Sequence, residues 1–185
     1  MSKIGRPAGP AGDTVTTVLT AALDVLLTEG GTALTPLRLH QATGVSRSTI
    51  YRHWSTPTEV LAAIIDVAPP VRRVLTGDHA LDLHAEVDAL CDRLRDRPVA
   101  AVLQALVTMA ATDEAAVPLR QRYVDDLVAP FRAALESADM SAERVDDAIS
   151  AIVAPLLVDA LLLDRPAERA RAHRAVDLYF PHRDQ

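Results

Sequence analysis

TPLRLHQATGVSRSTIYRHW, residues 35–54, reads as two short helices joined by one turn. Thr35 before Pro36 is a helix start, with the hydroxyl as N-cap and proline at the first position. The helix that follows is predicted over Pro36 to Ala42. Gly44 breaks it, because a tight turn between crossed helices needs a residue free to take positive φ. Ser46 then caps a third helix that contains Ile50 and Tyr51. Leu39, Val45 and Ile50 are the residues expected to pin the pair together. Two helices joined in this way form a helix-turn-helix. With Val45 and Ile50 facing inward, Arg47, Ser48 and Thr49 are expected on the outer face of the leading turn.

That arrangement suits the major groove of duplex DNA, where the first residues of such a helix meet base edges. Arg47 can grip guanine O6 and N7 together, and Ser48 and Thr49 can hydrogen-bond to bases or touch a thymine methyl. Tyr51, Arg52 and His53 follow, offering a phenol, a charge and a ring N–H to phosphates. Thr35 adds a hydroxyl at a helix N-terminus, where anions are favoured. Ser46 and Thr56 complete the expected DNA-contacting set. Trp54 is read as an anchor for the next helix. Each residue also has a plainer reading: a packed tyrosine, a surface histidine, a solvated arginine.

Charge distribution supports the nucleic-acid reading despite a net charge of −6. Residues 1–67 carry five Lys/Arg and five Asp/Glu, so the excess of acid lies in the remainder. No acid occurs between Glu29 and Glu59, a window that holds Arg38, Arg47 and Arg52. Local charge matters more than overall pI for contact with a polyanion.

Upstream, residues 1–12 are Gly/Pro/Ala-rich and are expected to form a flexible arm, with Lys3 and Arg6 able to reach a minor groove. Asp13 is a candidate cap for a first helix carrying Val15, Val18, Leu19, Ala22, Leu23 and Leu26 at helical spacing and ending at Gly30-Gly31. Downstream, Thr56, Pro57 and Glu59 make a capping box for a fourth helix that ends before a Pro69-Pro70 hinge.

Five further helical segments follow. Leu83, Val87, Leu90 and Leu94 form one stripe, closed by Pro98. Residues 99–111 are apolar nearly all round. Leu119 to Leu135 repeat every fourth residue, with Pro130 expected to kink the helix. Residues 143–163 are the greasiest and 167–180 are the last. No strand-like alternation or internal repeat occurs. The fold class is therefore all-α, with about nine helices. The expected domains are a helix-turn-helix unit over 13–67 and a ligand-binding and dimerisation body over 71–185.

Residues 148–164 fall short of the roughly 20 apolar residues a bilayer requires and are interrupted by Ser150, Pro155 and Asp159. With one cysteine and no apolar leader, a cytoplasmic location is expected and no membrane partner. A helix apolar all round is buried on more than one side, which for 148–163 suggests a homodimer. Ile152, Leu156, Asp159, Leu163, Val176 and Tyr179 are the expected interface residues. Asp159 is read as an interface-rim carboxylate, or alternatively as facing a ligand or pairing with Arg120 or Arg122. The pocket is expected among the fifth to eighth helices, lined by Leu103, Leu106, Val107, Met109, Tyr123 and Leu127, or these residues are plain core.

His84, Asp88 and Cys91 share a helical face with metal-ligand spacing. The plainer reading is a polar edge beside a buried cysteine. No catalytic arrangement or phosphate loop stands out, so neither an enzyme nor a cofactor is expected.

At GRP (5–7), VLTAALDVLLTEGG (18–31), GVSRSTIYRHW (44–54) and PTEVLAAII (57–65) the chain resembles the TetR family of bacterial transcriptional regulators. AIVAPLLVDALLL (151–163) followed by DRPAE (164–168) resembles the family's eighth helix and the loop after it. The resemblance implies nine helices: three in a DNA-binding head, a fourth as link, and a ligand-binding body whose last two helices pair with a second subunit. It further implies a repressor that binds an inverted-repeat operator and is released by a small-molecule effector. Departures are Pro57, where the family commonly has a phosphate-contacting lysine, and His40 and Thr43, where it usually has alanine. Thr56 and Thr58 offer hydroxyls in place of that lysine. His40 either packs at the helix crossing or swings out as a phosphate donor. These departures leave an alternative open, a helical protein-interaction scaffold that has lost DNA binding.

Overall fold

A computed structural model describes residues 11–67, 73–163 and 165–180. Among them the structure contains nine α-helices, one 3-10 turn and no strand. The arm with Lys3 and Arg6, and Pro69-Pro70, lie outside the described residues. The chain divides into two compact units, Met1–Val67 and Ala68–Gln185.

The first unit holds α1 (Ala11–Glu29), a 3-10 turn (Gly31–Ala33), α2 (Pro36–Thr43), α3 (Arg47–His53) and α4 (Pro57–Val67). α1 starts at Ala11, three residues earlier than an Asp13 cap would place it. α2 packs on α1 and α3, and α4 packs on α1. Val18, Ala22, Val25 and Leu26 of α1, with Leu34, Leu39, Ile50, Trp54, Val60 and Leu61, are buried. Burial of a side chain such as Leu39 or Ile50 contributes about 1.5–3 kcal/mol. α3 has too few residues to stand alone in water, so this packing holds it.

The second unit holds α5 (His79–Arg95), α6 (Arg97–Ala110), α7 (Ala116–Glu136), α8 (Ala142–Leu161) and α9 (Arg169–Tyr179). α5 lies against each of the other four. Its inward stripe, Leu83, Val87, Leu90 and Leu94, joins Leu127, Phe131, Leu135, Ile152, Leu156 and Val176 in one apolar core. Pro98 does not close α5. It sits in the first turn of α6, where its missing N–H costs no helical hydrogen bond, and α5 ends at Arg95. α7 runs unbroken through Pro130.

No helix among the described residues is long and apolar enough to cross a membrane.

Candidate nucleic-acid interface

Three local devices set the direction of α3. Thr35 Oγ1 accepts the Arg38 N–H at 3.2 Å and opens α2. Gly44 ends α2 in the left-handed region, at φ 72°, with its N–H on the His40 carbonyl. Ser46 Oγ accepts the Thr49 N–H at 3.2 Å and opens α3. His40 adds a fourth tie: its Nδ1 donates to the Val45 carbonyl at 2.8 Å. The side chain that departs from the family's alanine therefore braces the turn and is not swung away from it. Thr43, the second departure, hydrogen-bonds the Leu39 carbonyl at 2.7 Å and receives the Val45 N–H at 3.2 Å.

Ile50 is wholly buried, Val45 and Thr49 are half-buried, and Arg47 and Ser48 are exposed. The leading turn thus presents Arg47 and Ser48 outward, backed by a hydroxyl cluster. Ser46 Oγ lies 3.0 Å from Ser48 Oγ and 2.8 Å from Thr49 Oγ1. Ser46 is committed to capping, so its part is to position its two neighbours. Farther along, Arg52 and His53 are exposed and Tyr51 is 47% exposed. The His53 ring tilts against Trp54, with centroids 5.4 Å apart, and Trp54 is buried.

At α4 the capping box forms in both directions. Glu59 N–H donates to Thr56 Oγ1 at 3.2 Å, and Glu59 Oε2 accepts from Thr56 N–H at 3.3 Å. The same oxygen also takes the Ser55 N–H and hydroxyl. The Ser55 backbone N–H, then its hydroxyl, holds the Glu59 carboxyl below its usual range. Thr56 remains exposed, while Thr58 is buried and offers no hydroxyl at the surface.

One arginine of the acid-free window is not free. Arg38 clamps Glu29 through Nε and Nη2, with contacts of 2.6–3.0 Å. The fold brings the flanking acid back, and leaves Arg47 and Arg52 as the exposed cations of that window.

In the second unit several expectations need correction. Leu103, Leu106, Met109 and Leu127 are buried, as the plain-core alternative has it. Val107 is 56% exposed, beside exposed Gln104 and Thr108, so α6 has an outer face and is not buried all round. Tyr123 is partly buried against the core, and burial raises its pKa. A cavity of about 220 Å³ between α5 and α7 is lined by Arg73, Leu75, Glu86, Asp126, Ala129, Pro130 and Ala133. The available signal was Glu86, an acid on the inward stripe of α5.

Ile152, Leu156 and Val176 are wholly enclosed within the protomer and cannot meet a partner. Tyr179 is partly buried against that core, and Leu163 is 51% exposed just past α8. The outward stripe of α8 is Ala151, Ala154 and Val158, continued by exposed Leu162 at its C-cap, and Leu178 is exposed on α9. Both stripes of α8 are apolar, and composition does not say which faces in. The larger side chains turned inward, toward the space that needed filling.

Asp159 is neither a rim group nor a partner of Arg120 or Arg122. It is 1% exposed. Arg165 donates to its Oδ1 from Nε at 3.0 Å and from Nη2 at 2.7 Å. Arg171 donates to Oδ2, and the Glu168 N–H lies 3.4 Å from the same oxygen. The Arg165 hydrogen bonds, chiefly, hold this carboxyl below its usual range.

His84, Asp88 and Cys91 are engaged separately. His84 Nε2 donates to Asp177 at 3.0 Å, and His173 Nε2 donates to Asp88 at 2.9 Å. The two imidazoles stack, with centroids 4.5 Å apart. Cys91 is buried, and burial raises its pKa, so the thiolate needed for ligation or catalysis is disfavoured.

No family model matches the sequence, and no curated protein matches it significantly. Among solved structures, the chain is similar to a TetR transcriptional regulator from Agrobacterium tumefaciens. The similarity covers 88% of this chain and 90% of that one, at 25% identity and a TM-score of 0.66.

Proposed function

We propose that this chain, which has the TetR-family fold, is a cytoplasmic transcriptional repressor. It binds an inverted-repeat operator as a homodimer and lets go when a small molecule enters the body. The observation that carries the reading is the leading turn of α3, where Arg47 and Ser48 stand exposed while Ile50 anchors the helix from behind. Arg47 reads a guanine, and Ser48 and Thr49 meet adjoining bases. Thr35, Tyr51, Arg52, His53 and Thr56 hold phosphates and set the register.

Dimerisation uses the outward stripe of α8 with α9. Ala151 and Ala154 are small enough for close helix approach, and Val158, Leu162 and Leu178 supply apolar area that a monomer would leave in water. A two-fold pair of heads matches half-sites about 34–36 Å apart.

The test is a salt-titrated gel shift with DNA from upstream of the chain's own gene. Specific binding that falls steeply with salt is expected, because phosphate contacts release counterions. Absence of any specific shift at low salt would remove the DNA-binding assignment. It would favour a helical interaction scaffold, to which Pro57 in place of a lysine already lends some support.

A further inference from the structure

We infer that the cavity between α5, α7 and residues 73–75 is the effector site, and that it takes a small ammonium ligand with an apolar body. The inference rests on the reading that the body senses a small molecule, and adds the ligand's charge and size.

The size follows from the volume. About 220 Å³ is below the roughly 300–1,000 Å³ of pockets for drug-sized ligands. Leu75, Ala129, Pro130 and Ala133 give the apolar wall.

The charge follows from Glu86. Its side chain is only 5% exposed, and Arg73 Nε stands 3.9 Å from Oε1. That is a charge contact but too long for a hydrogen bond. No other donor among the described residues reaches the carboxylate. Burying a carboxylate without hydrogen bonds is unfavourable. Burial raises the Glu86 pKa, with Arg73 and Arg93 opposing and Asp82 reinforcing. Arg73 is half-exposed and can withdraw to water at little cost, since such pairs contribute little.

An ammonium in its place would reach Glu86 with charge-assisted hydrogen bonds. Two more acceptors belong to Asp126. The residue belongs to the lining, and its backbone carbonyl lacks the helical donor that residue 130 would supply, because Pro130 has no N–H. An ammonium has three donors to place. An anion would meet two acidic residues of the lining, set against Arg73, which prefers the surface, and the charge of Arg93.

The experiment is calorimetric titration of the full-length protein, without DNA, with benzylammonium, benzyl alcohol and benzoate at neutral pH. Benzylammonium is expected to bind at least tenfold more tightly than benzyl alcohol, and benzoate not at all. Glu86→Gln should weaken benzylammonium at least tenfold and leave benzyl alcohol unchanged. Arg73→Ala, at an exposed position, should tighten benzylammonium by removing its competitor. Equal binding of the amine and the alcohol, preference for benzoate, no binding of the amine at millimolar concentration, or weaker amine binding in Arg73→Ala each overturns the inference. The gel shift separates the two readings. DNA binding without amine binding removes only the ligand class, whereas Glu86-dependent amine binding without DNA binding removes the repressor reading and leaves the site.

Discussion

Gly44→Ala isolates the turn that aims α3. Gly44 holds φ 72°, and a methyl added there meets no atom within 4 Å. The substitution therefore carries no steric clash, only the cost of placing an L-residue in left-handed backbone, about 1–2 kcal/mol. The only tryptophan, Trp54, is buried in the same unit and reports its unfolding by fluorescence. With a urea slope of about 2 kcal/mol per molar, the midpoint of that transition should fall by about 0.5–1 M. Gly44→Asn should lose less, because asparagine tolerates this conformation. An unchanged midpoint in the alanine variant, or an equal loss in both, would show that the α2–α3 turn does not need left-handed backbone. The orientation of α3 argued from it would then fall.

On an operator fragment, Arg47→Ala should cost about 1–3 kcal/mol and relax base preference at one position, whereas Tyr51→Phe should weaken all sequences alike. Full operator affinity in both variants at the same salt would remove α3 from the interface. Asp159→Asn should lower the melting temperature at neutral pH. The folded carboxyl titrates below its ordinary 3.8, so its stabilisation is complete above that value and is lost as pH falls through the lowered one. The gap between variant and wild type should therefore close in acid below about pH 3.8, and a gap independent of pH would refute the ionic account. Val158→Glu with Leu178→Glu, both at exposed positions, should halve the mass seen by sedimentation while helical content stays the same. An unchanged mass would exclude this face as the dimer contact.

Local chemistry made the first unit legible. Thr35, Ser46 and the Thr56–Glu59 box act within four residues of themselves, so their hydrogen bonds can be read along the chain. Helix periodicity likewise gave the inward stripe of α5. What stayed hidden depends on distant partners. Arg38 reaches Glu29 across the 3-10 turn, and Asp159 collects two arginines from beyond the end of α8. Ile152 and Leu156 could not be told from Ala154 and Val158, because burial there depends on which face meets α5. The residues lining the α5–α7 cavity come from three separate segments, so no local pattern gathers them.

The α5–α9 seam carries a consequence for engineering. Its crossed pairs, His84 with Asp177 and His173 with Asp88, are joined by Arg169 reaching Asp88 and Asp92. A zipper of leucines would tolerate slippage by a turn, whereas these contacts match at one alignment. A terminal helix transplanted from another protein would arrive without the complementary imidazoles and carboxylates and would leave Asp88 without its two partners. Chimaeras of this molecule should therefore exchange α5 and α9 together.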